Sequence, residues 1–505
     1  MSGKIQDREL VDVSEDKKFS PQTAMCWFWS VVLFFALVWI LLPASLHTGF
    51  RNDTIELSAI AQNWYIATAK HPNLPAWLLE IINILTDRSF AAPFVASQFC
   101  MVLSLWSVWQ LGRTVLSENM ALVGAFSILP YRFFTNESVL YNHNNALIAG
   151  WSLSMYLVMK AIQTNRAGYW IAGGIALGLT FHAKYSAIFL VIAIILFMIV
   201  VPECRKYWKT KGPYLTALAA FLVFLPHLVW LFQNDFAPLH YVSASRPHLA
   251  QWYQQIVEPF HFAGNQITYL IYLPIILCPV LGFIGRWKTK HLERNDERVC
   301  EKFLFYSFMF PLLLHMLYCG VKGCHLRMAY GAPFWIFTGV WLLLRFQTKD
   351  GIKTLFQTVR LTLAVEFVII ASWLFTFYAD KQVPFCYYPM QEFGAECDRV
   401  WYARFMTPCP YVNDQYAAYA MKDKPSWTNP ELLTGKDSDI NEHGGMLLWE
   451  ITSSSERSMP NDLHERFPSA ETIPEILVLP YKTRKVRPPL TVGIAIVPPP
   501  AAGKQ

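Results

Sequence analysis

The sequence predicts a membrane-embedded all-α bundle with about 11 transmembrane helices and a small C-terminal α/β domain outside the cytoplasm. Of its 505 residues, 54% are hydrophobic and only 15% are charged. The apolar residues gather into nearly uncharged stretches of about 17 to 24 residues, long enough to cross a hydrocarbon core as helices. A large soluble helical core is the disfavoured alternative, because soluble proteins of this length carry more charge.

Eleven spans are expected along the chain. They are Met25–His47, Ala92–Gly112, Met120–Phe134, Asn145–Gln163, Gly168–Ala183, Tyr185–Val201, Pro213–Gln233, Gln266–Gly285, Phe303–Gly320, Met328–Leu344 and Leu355–Tyr378. The first span exceeds the length of a signal-peptide apolar region, so we interpret it as an uncleaved anchor. The chain therefore divides into a cytoplasmic leader (1–24), a transmembrane domain (25–378) and a polar C-terminal domain (379–505).

Basic residues predict the orientation of the bundle. With a cytoplasmic N-terminus, basic clusters such as 205–211 and 286–302 fall in cytoplasmic loops. About 20 Lys and Arg then lie on the cytoplasmic side and about 8 on the other, as the positive-inside rule expects. An odd number of spans places the C-terminal domain outside. The net charge of +6 follows from this topology, and nucleic-acid binding is not expected.

Five of the ten cysteines fall outside the membrane or at the outer ends of spans, where an oxidising compartment permits disulfides. These are Cys319, Cys324, Cys386, Cys397 and Cys409. Their spacing does not assign the pairs. A zinc site formed by Cys319, Cys324 and His325 is an alternative that three ligands so close together disfavour.

The first outer loop carries an acidic pair. Asp53 and Glu56 stand three residues apart at the start of a predicted helix, which puts both carboxylates on one face. Helix N-terminal capping is the alternative role for them. The stretch that follows contains Trp64, Tyr65 and Trp77, a pattern typical of a helix lying in the membrane interface, or of an aromatic belt without a catalytic role.

The second outer loop is rich in amides. His143, Asn144 and Asn145 enter the fourth span, where they either bind sugar hydroxyls or cap the helix and face water. Lys184 stands at the outer junction of two apolar spans. A lysine this close to hydrocarbon is costly unless it snorkels or meets an anion such as a phosphate headgroup.

Two further outer segments carry polar residues. His227 and Asp235 lie near the end of the seventh span, where His227 is either part of a site or a satisfied polar residue inside the bundle. Arg327, together with Lys322 and His325, adds positive charge before the tenth span.

These residues fit one chemistry. A carboxylate able to act as a base, placed among cations able to neutralise a phosphate, suits transfer of a sugar from a lipid phosphate carrier. The sequence contains neither a G-x-x-x-x-G-K-[ST] loop nor a G-x-G-x-x-G turn after a strand. A lipid-linked donor explains this absence, because nucleotide sugars are cytosolic.

Several short motifs occur in a characteristic order. After the acidic pair come a basic-Pro-x-Leu-x-x-Trp turn (71–77), the Asn-rich loop, a Gly-x-x-x-Gly-Leu…Lys hairpin (174–184) and a Pro-His-x-x-Trp…Asn-Asp-Phe-x-Pro segment (226–238). In this order the chain, over roughly residues 25 to 380, resembles the membrane glycosyltransferases with the GT-C fold. The resemblance is to family 39 and its ArnT-like branch, related to protein O-mannosyltransferases and the lipid A aminoarabinose transferase.

The resemblance implies roles for the polar residues. Asp53, with Glu56 nearby, would deprotonate or orient the acceptor, and attack at the sugar C1 would expel polyprenyl phosphate with inversion. Residues implied to bind the donor phosphate are Lys70, His71, Lys184 and Arg327, and those implied to bind sugar or acceptor are His143, Asn144, Asn145, His227 and Asp235. No metal or other cofactor is expected, with a divalent ion at the acidic pair as the alternative.

The chain departs from its relatives at two points. Pro72-Asn73 replaces a frequent Pro-Pro, which weakens the phosphate role of His71. Asn144 and Asn145 stand where some relatives have a second acid, so catalysis would depend more on Asp53.

The expected setting is the bacterial inner membrane, with the active site on the periplasmic face. The partners are a polyprenyl-phosphate sugar donor, membrane lipids and an acceptor that is lipid A, lipopolysaccharide core, another glycolipid or a protein. The sugar, the acceptor and the oligomeric state do not follow from the sequence. The C-terminal domain, with strand-like runs at 445–451 and 491–497, either recognises the acceptor or covers the bundle.

Two rival functions belong to other classes. A transporter or flippase of lipid-linked sugars would contain broken mid-membrane helices and an internal repeat. The sequence shows no repeat, and its polar residues cluster at one face. A non-catalytic envelope assembly protein would tolerate loss of Asp53, which the enzyme should not.

Overall fold

The structure, a computed structural model, describes residues 19–244, 249, 251–379, 381, 384–453, 456–483 and 487–500. Most of the expected leader (1–24) therefore lies outside the described residues. The α-helices are α1 (Pro21–Leu46), α2 (Asn52–Ala61), α3 (Leu74–Leu85), α4 (Ala92–Gly112), α5 (Glu118–Phe126), α6 (His143–Thr164), α7 (Ala167–Ala183), α8 (Ile188–Val200), α9 (Pro202–Arg205), α10 (Gly212–Gln233), α11 (Ala237–Ala244), α12 (Gln254–Gln266), α13 (Leu273–Leu281), α14 (Asn295–Lys322), α15 (Thr338–Arg345), α16 (Ile352–Tyr378), α17 (Met390–Phe405), α18 (Gln415–Ala420), α19 (Asp437–His443) and α20 (Asn461–Arg466).

Within the described ranges, six helices are long and apolar enough to cross a membrane: α1, α4, α6, α10, α14 and α16. Two bent pairs, 185–200 with 202–209 and 254–269 with 273–286, raise the number to eight if each pair is one span. Burial separates inner from outer spans: in the most apolar stretch of each helix, 67% of the residues of α4 and 72% of those of α6 are buried, but only 11% in α10 and 17% in α16. The chain is a multi-pass membrane protein, and the apolar faces of its outer spans are the surfaces that lipid would cover.

Three expected spans are not continuous α-helices. In Gln266–Gly285, α13 lies between two 3-10 turns, Ile267–Tyr269 and Ile284–Arg286. The segment expected at Met120–Phe134 contains only α5, which ends at Phe126 and is followed by turns, and Met328–Leu344 consists of a 3-10 segment (Met328–Trp335) and the short α15. Pro130 and Pro333 lie in these breaks, where a proline removes an amide donor and disfavours α conformation in the residue before it. The all-α fold class is confirmed, whereas the number of eleven spans stays a prediction.

The Gly-x-x-x-Gly motif of α7 has a packing role. A Cβ added at Gly174 would lie 2.3 Å from the carbonyl oxygen of Thr216, and one added at Gly178 would lie 2.7 Å from Cβ of Val223. Both contacts are with α10, so small residues let the two helices approach closely, as is common between membrane helices. This packing fixes the end of α7, and therefore the start of the segment that carries Lys184.

The C-terminal region forms one mixed six-stranded sheet. Its strands are β1 (Tyr411–Val412), β2 (Ser426–Trp427), β3 (Gly445–Glu450), β4 (Glu471–Thr472), β5 (Leu477–Leu479) and β6 (Leu490–Val497). The order is β2-β1-β3-β6-β4, and β5 also pairs with β6. The antiparallel pair β3–β6 aligns Gly445 with Val497 and Glu450 with Val492. Both strands expected from the sequence are confirmed.

The sheet region contacts the bundle through the first outer loop. The Ala69 amide donates to the Leu432 carbonyl (3.2 Å), and the Tyr65 hydroxyl donates to the Thr434 carbonyl (3.2 Å). The Tyr416 hydroxyl donates to Oδ1 of Asn52, the first residue of α2, at 3.0 Å. The loop that contains the acidic pair is therefore held between the bundle and the sheet.

All ten cysteines are unpaired in this structure. The Cys319 thiol donates to the Cys324 carbonyl at 2.9 Å, and Nδ1 of His325 bonds to Glu258 Oε2 at 2.8 Å. The geometry does not support a zinc site at these three residues, because the thiol and the imidazole have separate partners. The pairing of the outer cysteines stays a prediction.

Candidate active site

Helix α2 places both acids of the first outer loop on the wall of one cavity. The helix begins at Asn52 after an extended Arg51, and no side chain caps its N-terminus. Asp53 therefore lies in the first turn without serving as the cap, at the end where the helix dipole favours negative charge. Glu56 follows three residues later. Both carboxylates line a cavity of about 540 Å³, as their spacing predicts.

The same cavity brings together most of the residues singled out from the sequence. Besides the two acids, its lining includes Lys70, His71, Asn144, Lys184 and Arg327. These side chains come from the first outer loop, the start of α6, the end of α7 and the loop after α14. The structure therefore unites residues that lie more than 250 positions apart in the sequence.

Glu56 and Lys70 form an ion pair. Lys70 Nζ lies 2.9 Å from Glu56 Oε2, and the side chains are 22% and 14% exposed. Burial raises the pKa of Glu56, although Lys70 opposes that shift. Burial disfavours the charged form of Lys70 as well, but attraction to Glu56 and the hydrogen bond that Lys70 donates to it raise the lysine pKa above its ordinary value. The Glu56 carboxylate and the Lys70 ammonium are therefore paired with each other at neutral pH.

Asp53 differs from Glu56 in its environment. It is exposed to the cavity, and no hydrogen bond or ion pair joins it to another residue that the structure describes. Its oxygens can therefore accept a proton or a hydrogen bond from a molecule entering the cavity. A divalent ion held by both acids would have to displace the Lys70 ammonium from Glu56.

His71 packs against His143, with ring centroids 4.2 Å apart. Burial lowers the pKa of His71 well below its ordinary value, and His143, Lys184 and Lys70 lower it further. The imidazole is therefore neutral at pH 7 until an anion enters. In this state it offers a hydrogen bond to a phosphate, and it adds no positive charge.

Lys184 and Arg327 supply cationic groups of a different kind. Lys184 follows the end of α7 in an extended conformation, and its Nζ donates to Asn144 Oδ1 at 2.7 Å. The same ammonium lies 4.9 Å from the centre of the Tyr330 ring. These two contacts position the ammonium group at the cavity wall, where it can bind an anion.

A second cavity, of about 470 Å³, adjoins the first. The two share Lys70, His71, Lys184, Tyr241, Arg327 and Tyr330. The second cavity is also lined by Tyr185, Ser186, Val242 and His325. The cations thus stand at the junction of the two cavities, so a molecule that contacts them can extend into both.

A further charged cluster lies on the other side of Asp53, and sequence reasoning did not place it in the site. Arg132 Nη2 is 2.6 Å from Glu137 Oε1, and Arg51 Nη1 is 3.9 Å from Glu137 Oε2. All three residues line the first cavity. The available signal was an arginine inside a stretch taken for a membrane span, because such a charge is costly unless it has a function or a partner.

Arg132 and Tyr269 also line a third space, a groove of about 430 Å³. Its other wall is α16, which contributes Val368, Ile369 and Ser372. Val368 is largely exposed, so the groove opens toward the surface that lipid would cover. The first cavity therefore has a neighbour on each side.

Four residues predicted to bind sugar or acceptor lie outside the linings of these cavities. Asn145 donates to Ser97 (2.8 Å) and completes a capping box with Asn142 at the start of α6. His227 Nε2 bonds to the Tyr185 hydroxyl at 2.9 Å inside the bundle. Asp235 sits in a turn after α10 with φ of +47°. Their sugar-binding roles stay predictions, as does that of His143, which lies beneath His71.

Comparisons with known proteins agree on the fold. Residues 70–230 match the family model described as dolichyl-phosphate-mannose-protein mannosyltransferase. The lipopolysaccharide core galacturonosyltransferase RgtA of Rhizobium johnstonii is 26% identical over 202 residues, which is 39% of each chain. The match thus spans less than half the length of this relative.

Two solved structures match nearly the whole chain. ArnT from Cupriavidus metallidurans bound to undecaprenyl phosphate has a TM-score of 0.60 at 10% identity, covering 96% of this chain and all of that one. Its apo state gives 0.59 at 11% identity, with 95% and 100% covered. The protein therefore has the ArnT-type GT-C fold, and the expected resemblance to GT-C membrane glycosyltransferases is confirmed.

Proposed function

We propose that this protein transfers a sugar from a polyprenyl-phosphate donor to a hydroxyl of an envelope acceptor. The observation that carries this proposal is an unpaired carboxylate, Asp53, opening into the same cavity as the cations Lys184 and Arg327. A base for the acceptor and positive charge for the leaving phosphate are the two requirements of such a reaction. The GT-C fold, the family model and the galacturonosyltransferase relative support glycosyl transfer.

The donor phosphate binds where the two cavities meet. Lys184 and Arg327 pair with its oxygens, and His71 donates a hydrogen bond. Lys70 binds the phosphate only if it leaves Glu56, so its contribution is smaller than its position suggests. The second cavity, lined by Tyr185 and Val242, receives the start of the polyprenyl chain. Support comes from ArnT, whose structure contains undecaprenyl phosphate.

The reaction then follows from charge and geometry. Asp53 accepts the proton of the acceptor hydroxyl. At the same time the hydroxyl oxygen forms a bond to the sugar C1, and the bond from C1 to the phosphate oxygen breaks. The electron pair leaves with polyprenyl phosphate, whose growing charge Lys184 and Arg327 stabilise. Attack from the side opposite the leaving phosphate inverts the configuration at C1. Glu56 keeps Lys70 in place and takes no part in the proton transfer.

We place the reaction at the periplasmic face of a bacterial inner membrane. The distribution of basic residues supports this orientation, because the cavity lies on the side opposite the basic loops. A relative that acts on lipopolysaccharide core supports an envelope acceptor, whether lipid A, core, another glycolipid or a protein. We retain residues 25–378 as the transmembrane catalytic domain and 379–505 as the periplasmic domain.

The test compares envelope glycolipids by mass spectrometry. Cells that lack the gene are complemented with the wild type or with Asp53→Asn at matched membrane abundance. We expect deletion to remove the mass of one sugar from a defined acceptor, the wild type to restore it, and Asp53→Asn not to restore it. Full restoration by Asp53→Asn would reject the enzyme and favour the transporter or the assembly protein.

A further inference from the structure

The sheet region contains a polar cavity of about 500 Å³, separate from the three spaces around Asp53. It is lined by Asn413, Thr428, Asn429, Glu431, Asp437 and Arg466, with Pro430 as the apolar member. Its volume is suited to one or two sugar rings, since small-molecule sites span about 300 to 1,000 Å³. Every lining residue except Pro430 has a side chain that can form hydrogen bonds.

Several of these side chains are fixed before any ligand arrives. Arg466 forms a two-pronged ion pair with Asp437, with both N–O distances at 2.8 Å. Asn413 accepts from the Leu448 amide and donates to the Leu448 carbonyl. Rigid polar groups of this kind lose little conformational entropy on binding, and they present their remaining lone pairs in defined directions.

One polar group at this cavity lacks a partner. Thr428 is 96% buried, and its hydroxyl has no hydrogen bond to any residue in the described part of the chain. A buried hydroxyl without a partner costs free energy. A ligand hydroxyl or a ligand-ordered water in the cavity would remove that cost.

The chemistry of the lining selects a class of ligand. Two carboxylates, those of Glu431 and Asp437, line the cavity with one guanidinium, that of Arg466. Because negative charge is in excess, the cavity disfavours acidic groups and accepts hydroxyls or amines. An apolar or aromatic anchor pocket of the kind that seats peptide side chains is not formed by these residues. A neutral or amino-bearing glycan satisfies the lining better than a peptide does.

The cavity is connected to the loop that carries Lys70 and His71. Thr428, Asn429, Pro430 and Glu431 precede Leu432, whose carbonyl accepts from the Ala69 amide. Two residues later, the Thr434 carbonyl accepts from the Tyr65 hydroxyl. One wall of the cavity is thus bonded directly to the loop beside the donor phosphate.

We propose that this cavity is a subsite for the glycan part of the acceptor, built for neutral or amino-bearing sugars. This inference rests on the proposed function, because it assigns an acceptor class to the same reaction. The subsite holds the acceptor at a distance from the chemistry, so it contributes to acceptor affinity and leaves the chemical step unchanged.

The experiment measures transfer rates at saturating donor against the concentration of acceptor, using envelope lipid extracted from the deletion strain. Asp437→Asn removes the two-pronged pair, and Glu431→Gln changes an exposed carboxylate with little risk to folding. Loss of a charged hydrogen bond predicts a rise of about tenfold in the acceptor KM for Asp437→Asn, with kcat within about twofold. Glu442→Gln, an exposed acid outside the cavity lining, is the matched control and should behave as wild type.

A second arm identifies the ligand class. Delipidated glycan, released from the same extract by mild acid, should inhibit the wild type competitively and inhibit Asp437→Asn more weakly. Unchanged KM values in both cavity variants, or a wild type that this glycan does not inhibit, would overturn the subsite. If the wild type transfers no sugar to any extract, the proposed function itself has failed, which is a distinguishable result. Thermal unfolding of each variant identifies loss of folding.

Discussion

The two sides of the Asp53 cavity differ in the groups that contact their cations. On one side, Lys184 and Arg327 stand at the junction with the second cavity, and Lys184 is held by an amide oxygen and an aromatic ring. On the other side, Arg51 and Arg132 face Glu137. A lysine positioned by an amide and an aromatic ring suits a phosphate, whereas an arginine that faces a carboxylate binds an added anion only by exchanging partners.

Under the proposed function, this difference would place the donor on one side and the acceptor on the other. It also separates the two acids of α2. Glu56 is paired with Lys70, while Asp53 stands between the two charged sides and is open to both. If the separation is correct, variants on the two sides should have different kinetic signatures, and the largest effect should come from the residue between them.

Asp53→Asn should have the largest effect. It keeps the size of the side chain and removes the base, so kcat should fall by about 10² to 10⁴-fold, the usual contribution of general base catalysis. Polyprenyl-phosphate binding and the unfolding temperature should remain close to wild type. Steady-state transfer with purified protein measures the rate, and native mass spectrometry measures lipid binding. The Glu56→Gln control should lose much less activity, and equal losses in both variants would remove the distinction between the two acids.

Substitution of one cation on each side tests which side binds the donor phosphate. Lys184→Gln should weaken binding of undecaprenyl phosphate by about 10 to 100-fold, because a charged hydrogen bond to an anion contributes roughly 1.5 to 3 kcal/mol. Arg132→Gln should leave that affinity within about twofold. Binding is measured by titration of the lipid into protein in nanodiscs. A larger loss in Arg132→Gln than in Lys184→Gln would place the donor phosphate on the opposite side.

The donor side was largely visible in the sequence, and the opposite side was not. Lys184 and Arg327 adjoin apolar segments, where an exposed charge stands out against hydrocarbon. The place of Glu137 and Arg132 in the site could not be predicted locally. It depends on the second outer loop lying beside Arg51, which is a contact between segments distant in the sequence. The breaks at Pro130 and Pro333 likewise interrupt apolar stretches that composition alone describes as continuous.

The amide-rich loop shows the same limit. Asn144 and Asn145 are adjacent and chemically identical, yet Asn144 accepts from Lys184 in the cavity and Asn145 caps α6 and contacts Ser97. Helical geometry sends neighbouring side chains about 100° apart, so only one of them faces the site. By contrast, β3 and β6 could be predicted, because each is a continuous, mostly apolar run that is visible locally in the sequence.

The neutral state of His71 predicts a dependence on pH. Its pKa is lowered in the folded protein, so below about pH 6.5 the unfolded chain binds a proton that the folded chain does not. Stability should therefore fall as the pH is lowered from 7.5 to 5.5, by at most about 1.4 kcal/mol per pH unit for this group. His71→Gln should flatten part of that decline, measured as the unfolding temperature across the range. Saturating undecaprenyl phosphate should also reduce it, since a bound anion favours the protonated ring, and an unchanged pH profile in His71→Gln would contradict the argument.

The contact between the sheet region and α2 should give the smallest effect. Tyr416→Phe removes the hydrogen bond to Asn52, the residue before Asp53, and a neutral hydrogen bond contributes about 1 kcal/mol. A few-fold fall in kcat with unchanged donor affinity is expected, because the bond orients the start of α2 without touching the phosphate. Tyr419→Phe is the matched control on the same helix, since the Tyr419 hydroxyl is buried without a partner among the described residues. If both variants lose activity equally, the sheet region supports α2 through packing, and the hydroxyl of Tyr416 has no specific role in positioning Asp53.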